Sequence, residues 1–165
     1  MVSRAFYRIG QFRRALKPHV TSTERESARR TLGPGLYPLF ESMALADQRH
    51  CLDVFEVLLG QGQTDADLLQ AALIHDCGKG SIAGARIAVW HRVLFVLLGP
   101  FPVLRRLAAR FSGGMRAMHL HDERTLALAR EYGAPAAVVG LLDQMAHPTR
   151  LDERGRALKA ADDNR

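Results

Sequence analysis

The chain has 165 residues, of which 47% are hydrophobic and 24% are charged. Such a chain can bury one core of ordinary size, which excludes a disordered protein and argues against a string of small domains. The formal net charge is +6, and it is unevenly distributed along the chain. Residues 1–30 hold eight basic and two acidic residues, and residues 81–118 hold six basic residues and no acidic one. The remainder holds nine basic and fifteen acidic residues. A protein with a uniformly basic surface for nucleic acid does not alternate between basic and acidic segments in this way, so nucleic acid is not an expected partner.

Residues 1–35 are predicted to form a basic helical extension. The apolar residues of segment 2–17 recur at three- and four-residue steps with arginines between them, which predicts an amphipathic helix. Thr23 and Glu26 have the spacing of a capping box and predict a short second helix. This helix is expected to stop at Gly33-Pro34-Gly35.

Residues 36–165 are predicted to form one helical domain, with a hairpin of two helices inserted at about residues 82–114. No segment alternates as a strand does, so the expected fold class is all-α. In chain order, the predicted helices run from about Pro38 to Leu59, from Thr64 to Ile74, from Ala83 to Leu98, from Pro102 to a stop at Gly113-Gly114, from Asp122 to Tyr132, from Pro135 to Ala146, and from Leu151 onward with Thr149 as its cap.

The two cysteines, Cys51 and Cys77, are not preceded by a signal-peptide pattern. We therefore expect reduced thiols in a cytoplasmic protein, without a disulfide framework.

The inserted hairpin is rich in aromatic residues, including Trp90, and has basic residues at both ends but none between Arg92 and Arg105. The sequence leaves three interpretations open: packing against the domain, packing against a second copy in a homodimer, and shallow insertion into an anionic membrane surface. In the last case residues 85–110 and the basic segment 1–17 act together, and the protein is peripheral to the inner face of the membrane.

Two histidines lie where metal ligands could lie. His75 and Asp76 emerge together from the end of an apolar helix, where an imidazole and a carboxylate are costly unless they are paired or bind a ligand. His50 lies midway along the preceding predicted helix, and alone it fits a satisfied core histidine equally well. His19 and His91 are expected to have ordinary surface or packing roles.

The order of these residues resembles the HD-domain metal-dependent phosphohydrolases. In that family a His is followed one helix later by a His-Asp pair and then by a distal Asp. The similarity is greatest to the subgroup with an extended His-Asp-x-Gly-Lys motif and two additional histidines. The matching positions are His50, the motif His75-Asp76-Cys77-Gly78-Lys79, the additional histidines His121 and His147, and the distal Asp162. His121 is preferred over His119, which would point to another side of a helix, and family spacing favours Asp162 over Asp163.

Four imidazoles and two carboxylates suit one or two first-row divalent ions such as Mn, Fe, Co, Ni or Zn. The resemblance implies that Asp76 bridges two ions. It further implies that His50, His75 and Asp162 complete one ion and that His121 and His147 complete the other.

The resemblance also implies a phosphohydrolase that cleaves a phosphoester of a nucleotide or similar small phosphorylated metabolite by metal-activated hydroxide. Asp76 and Lys79 are the expected catalytic residues. Lys79 would bind the substrate phosphate, with a surface-charge role as the alternative, and Arg49 is a weaker candidate for the same task. The competing hypothesis is a non-catalytic HD-type metal- or nucleotide-binding regulatory module.

Overall fold

The computed structural model describes residues 18–84, 87–98 and 100–164. The helix predicted for segment 2–17 lies outside them. The described residues form nine α-helices and one 3₁₀ turn, with no strand among them, which confirms the all-α fold class. The helices are α1 (Ser22–Glu41), α2 (Leu45–Gly60), α3 (Ala66–Ile74), α4 (Val89–Leu97), α5 (Pro102–Phe111), α6 (Gly113–His119), α7 (His121–Glu131), α8 (Ala136–Ala146) and α9 (Glu153–Asp163), and the 3₁₀ turn Cys77–Lys79 follows α3.

The cap of helix α1 lies two residues before the predicted one. The capping box is formed by Thr21 and Glu24 and not by Thr23 and Glu26. Glu24 also forms an ion pair with Arg49 of α2, and this tertiary contact selects one of two equivalent sequence patterns. The predicted stop at Gly33 is a bend, because Gly33 takes φ 65°, a left-handed value that favours glycine, and the helix resumes beyond it.

The long helix predicted from Pro38 to Leu59 is divided, since α1 ends at Glu41 and α2 begins at Leu45. Side chains satisfy the backbone at the break. The Gln48 amide donates to the carbonyls of Glu41 and Met43, at 3.2 and 2.9 Å. The Ser42 hydroxyl donates to the carbonyl of Leu39 at 2.8 Å. These side-chain hydrogen bonds replace the backbone hydrogen bonds of the unbroken helix that the apolar periodicity predicts.

Helix α3 lies at the centre of the core. Its residues from Leu68 to Ile74 are buried except for Gln70, and it packs against α1, α2, α8 and α9. Its cap is Asp65, one residue after the predicted Thr64. Val20, Ala28 and Leu32 belong to the same core, so the expected domain boundary at residue 35 falls inside a helix that contributes to it.

Residues 89–119 contain three helices, α4, α5 and α6, where the sequence predicted a hairpin of two. Residues 81–84 form a turn, and helix α4 starts at Val89, later than the predicted Ala83. The Gly113-Gly114 pair begins α6 rather than a loop, because the Ser112 hydroxyl caps this helix by accepting from the backbone N–H of Met115. Helices α4 and α5 both pack against α6. In the described part of the chain, no helix combines the length and apolarity needed to cross a bilayer.

Candidate metal centre

Four helices bring the predicted ligands together. His75 caps the C-terminal end of α3 and Asp76 follows it, so both leave the most buried helix of the protein at the same point. Helix α9 packs on α2, which places Asp162 beside His50. Helix α7 packs on the 3₁₀ turn, which places His121, its first residue, beside Asp76.

The first group of side chains is compact. His50 Nε2 lies 2.9 Å from Asp162 Oδ1, and His75 Nε2 lies 3.7 Å from the same oxygen and 4.0 Å from Asp76 Oδ1. Potential ligand atoms of His50, His75 and Asp76 all lie within 4.8 Å of one another. These separations are short enough for His50, His75 and Asp76 to reach one cation, and Asp162 Oδ1 lies within hydrogen-bonding or ion-pair distance of both histidines.

The His75 ring is oriented as a metal ligand would be. Its Nδ1 lies 2.9 Å from the Ala72 carbonyl, to which it donates, and its Nε2 is buried without a hydrogen-bond partner. A ring nitrogen buried in this way is costly unless it has a charged or ligating neighbour. The unpartnered atom points toward the two carboxylates, so the residues present fit a cation.

The cluster attracts positive charge. Asp76 and Asp162 oppose the single ammonium of Lys79, which leaves one net negative charge when the histidines are neutral. Burial raises the pKa of both carboxyls, but Lys79 and His75 outweigh it at Asp76, and His50 and His75 outweigh it at Asp162, so both pKa values lie far below the usual range. Burial opposes protonation of His75, yet its neighbours, Cys51 and these carboxylates, raise its pKa well above the usual value. A proton or a cation at this point balances the same charge.

Lys79 is committed to Asp76, since its Nζ lies 2.7 Å from both carboxylate oxygens. Burial lowers the pKa of Lys79, but the Asp76 charge more than compensates and the net direction is upward. The ammonium therefore stays charged beside the cluster. It fixes the orientation of the carboxylate and lies next to any group bound there.

His121 extends the cluster from Asp76. Its Nδ1 lies 2.8 Å from the Met118 carbonyl, to which it donates, and its Nε2 lies 3.8 Å from Asp76 Oδ1. Burial, followed by the charge of Lys79, lowers the pKa of His121, which keeps this Nε2 available as an acceptor at neutral pH. Asp122 lies 3.2 Å from the same Nε2, a contact that no sequence signal had indicated.

Thr125, which the sequence did not assign to the site, and Gly78 of the motif hold the candidate ligands in place. The Thr125 hydroxyl accepts from the Gly78 N–H at 2.9 Å and donates to the His75 carbonyl at 3.2 Å, which joins α7 to the turn. A Cβ at Gly78 would lie 2.0 Å from the His121 carbonyl oxygen. The glycine of the motif is therefore needed for close approach of two backbone segments, each of which carries a predicted ligand.

The structure decides between the alternative ligands. His119 is exposed, whereas His121 faces Asp76. Asp163 is exposed and pairs with Lys159, whereas Asp162 faces the histidines. Asp162 and His121, the two residues that the sequence favoured, are therefore the ones at the cluster.

Two other predicted residues are not brought to the cluster. The His147 side chain is 67% exposed and its Nδ1 lies 3.3 Å from Asp143, one turn earlier, because His147 follows the last residue of α8 and stays at its open end. The Arg49 guanidinium is held by Glu24, Asp53 and Glu56, on the same helix and on α1, so carboxylates already satisfy it. The structure thus gives neither residue a contact with the candidate site.

Comparison of the chain with protein-family models, with characterised proteins and with solved structures finds no match.

Proposed function

We propose that the protein is a divalent-metal-dependent phosphohydrolase that cleaves a phosphoester of a nucleotide or similar small phosphorylated metabolite. The observation that carries the proposal is the convergence of His50, His75, Asp76 and Asp162 at a buried His75 nitrogen without a hydrogen-bond partner, with His121 beside Asp76. Three imidazoles and two carboxylates suit Mn, Fe, Co, Ni or Zn, and they do not suit Ca, which prefers oxygen ligands.

His50, His75, Asp76 and Asp162 would hold one ion. When bound, such an ion lowers the pKa of water and polarises a phosphoryl oxygen. Asp76 would be shared between this ion and the Lys79 ammonium, which it already contacts through both oxygens. Since His147 contacts Asp143 and not the cluster, the simplest form of the proposal has one ion.

The remaining groups have roles that their own contacts define. Lys79 fixes the Asp76 carboxylate and offsets negative charge on a phosphoryl group beside it. His121 presents Nε2 as an acceptor, either for a second cation or for a proton of an attacking water. Thr125 and Gly78 position both residues by holding α7 against the turn.

A non-catalytic HD-type module that binds a metal or nucleotide is the second candidate. It is favoured by the position of His147 outside the cluster and by the carboxylates that occupy Arg49. A regulatory site needs affinity, whereas an enzyme also needs groups that stabilise charge developing on the substrate. Metal binding without turnover would distinguish this candidate.

The test is metal content by mass spectrometry, followed by Mn²⁺-dependent release of phosphate from a panel of nucleotides. We expect bound first-row metal and turnover of at least one nucleotide. Asp76→Asn should lower kcat/KM by about a thousandfold or more, because loss of the shared carboxylate removes several kcal/mol of charge stabilisation. The matched control is Asp143→Asn, an exposed aspartate on α8, which should leave turnover unchanged.

Three results would contradict parts of this proposal separately. A fully metallated protein without activity on any nucleotide or small phosphoester would refute catalysis and leave the binding module. A protein that binds neither a first-row metal nor a nucleotide would refute both candidates. Loss of activity in His147→Ala equal to that in Asp76→Asn would refute the one-ion form and restore the two-ion arrangement.

A further inference from the structure

The inserted hairpin carries large apolar side chains that the fold leaves uncovered. On α4 these are Trp90, Val93 and Leu97, and on α5 they are Val103, Leu104, Leu107 and Phe111, with Phe101 in the connection; Val103 is 73% exposed and Phe111 is 81% exposed. Steps of three and four residues place each set on one face of its helix. Two adjacent helices therefore both present an apolar stripe to solvent.

The residues that pack these helices on the protein lie outside the exposed stripes. On α5 the buried residue is Ala109, on the opposite side of the helix from Leu107. Among the α4 side chains that the structure describes, His91 is buried; its Nδ1 accepts from the Ala88 N–H and its Nε2 lies 3.1 Å from the Ser112 hydroxyl. A Cβ at Gly114 would lie 2.3 Å from the His91 ring, so the packing there is close. These contacts hold the apolar stripes outward, which removes the interpretation that they pack against the domain.

The charge around the stripes is of one sign. Residues 81–118 contain six arginines and no acidic residue. Arg106 and Arg110 are exposed on α5, at the edge of its apolar stripe, whereas Arg105 lies over the Phe95 ring at 4.7 Å and is used within the hairpin. An apolar stripe bordered by arginines matches an anionic lipid surface, where the apolar side chains enter the acyl boundary and the guanidinium groups meet lipid phosphates.

Two other occupants are less well matched by charge. A second copy of the hairpin formed by α4 and α5 would bring another four arginines and no acidic residue to the same interface. Segment 1–17 of this chain has the right apolar spacing but carries five basic residues and no acidic one. Both pairings would concentrate like charge, while an anionic bilayer would neutralise it.

We propose that the hairpin formed by α4 and α5 docks the protein on an anionic membrane surface, with the apolar stripes inserted at the headgroup level. The proposal does not depend on the enzymatic one, since none of the residues of the candidate metal centre lies in this segment. Its consequence for function is that phosphoester cleavage would take place beside the lipid surface.

The test uses the full chain and the fluorescence of Trp90, the only tryptophan. Trp90 is 56% exposed, so its emission should resemble that of a solvated indole in buffer. Phosphatidylcholine vesicles containing phosphatidylglycerol should shift it to shorter wavelength and sediment with the protein, and salt should reverse both effects. Vesicles of phosphatidylcholine alone should have little effect.

Variants separate the apolar contribution from the charged one. Leu107→Ser should weaken vesicle binding by about tenfold or more, whereas Leu59→Ser, which changes a similarly exposed leucine on α2, should not. Arg106→Gln should weaken binding by about fivefold, in line with one basic residue near an anionic leaflet, and Arg150→Gln, in an exposed loop, serves as its control. All four substitutions are at surface positions, and circular dichroism checks that each variant is folded.

The following outcomes would overturn the proposal. Unchanged Trp90 emission with anionic vesicles would refute membrane docking. An equal shift with neutral vesicles, or with a soluble polyglutamate, would refute the anionic lipid as the partner. Emission that is already blue-shifted in buffer, together with a dimeric mass in analytical ultracentrifugation, would assign the stripes to a second copy of the chain.

Discussion

The core around α3 and the hairpin formed by α4 and α5 are both rich in apolar side chains, but the core buries them and the hairpin exposes them. In the core, leucines are buried, and the few buried charges are paired or converge on the candidate metal centre. In the hairpin, several leucines and aromatic residues face solvent, and residues 81–118 around them contain arginines and no acidic residue. Apolar content therefore does not locate the core of this protein. What distinguishes the regions is whether another element of the chain covers the apolar face.

The largest expected difference between the regions is in stability. Leu73→Ala, at a fully buried position of α3, should lower the free energy of unfolding by about 2–5 kcal/mol because it leaves a cavity. Leu107→Ala, at a half-exposed position of α5, should change it by less than about 0.5 kcal/mol. Urea unfolding monitored by circular dichroism measures both. Equal losses of unfolding free energy would mean that the hairpin is covered in solution and that the two regions do not differ in burial.

A second contrast concerns glycines. Gly78→Ala should cost about 2–3 kcal/mol and weaken metal binding, because its Cβ would meet the backbone of α7 at 2.0 Å from the His121 oxygen. Gly140→Ala is the matched change within helix α8, where an added Cβ meets nothing within 4 Å. It should stabilise the protein by about 0.5–1 kcal/mol. If the two variants unfold alike, the turn does not approach α7 as closely as the structure indicates.

The smallest expected effect concerns the ion pairs that join α1 to α2. Burial raises the pKa of Glu24, but the Thr21 backbone and hydroxyl and the Arg49 guanidinium outweigh it and lower the pKa to about 2. Because the folded-state pKa is below the unfolded value of 4.5, the stabilisation is complete above about pH 4.5 and is lost as the pH falls toward 2.

Glu24→Gln should therefore cost about 1 kcal/mol at neutral pH, a discounted value since a quarter of the side chain meets solvent, and should flatten the acid limb of the stability profile. Glu26→Gln, whose carboxylate lies 4.0 Å from Arg30 at the surface, should leave the profile unchanged. A parallel downward shift of both variants would show that Glu24 does not titrate abnormally in the folded state.

Much of the site was accessible from the sequence because its ligands lie in or beside regular helices. The motif from His75 to Lys79 has a local spacing, and apolar periodicity placed it at the end of a buried helix. The choice of Asp162 over Asp163 and of His121 over His119 agrees with the side chains that face the cluster. The contribution of Thr125 was not predictable, since its partners are 47 and 50 residues away.

By itself, the sequence determined the all-α class, most of the helices and the chemical character of the two regions, because these follow from local periodicity and charge. Only the tertiary structure decided which capping box forms, where the long helix divides, and that His147 stays at an open helix end. It also decided that the apolar stripes of the hairpin face outward. Each of these features depends on contacts between segments distant in the chain, whose free energies outweigh differences between local patterns that are nearly equivalent.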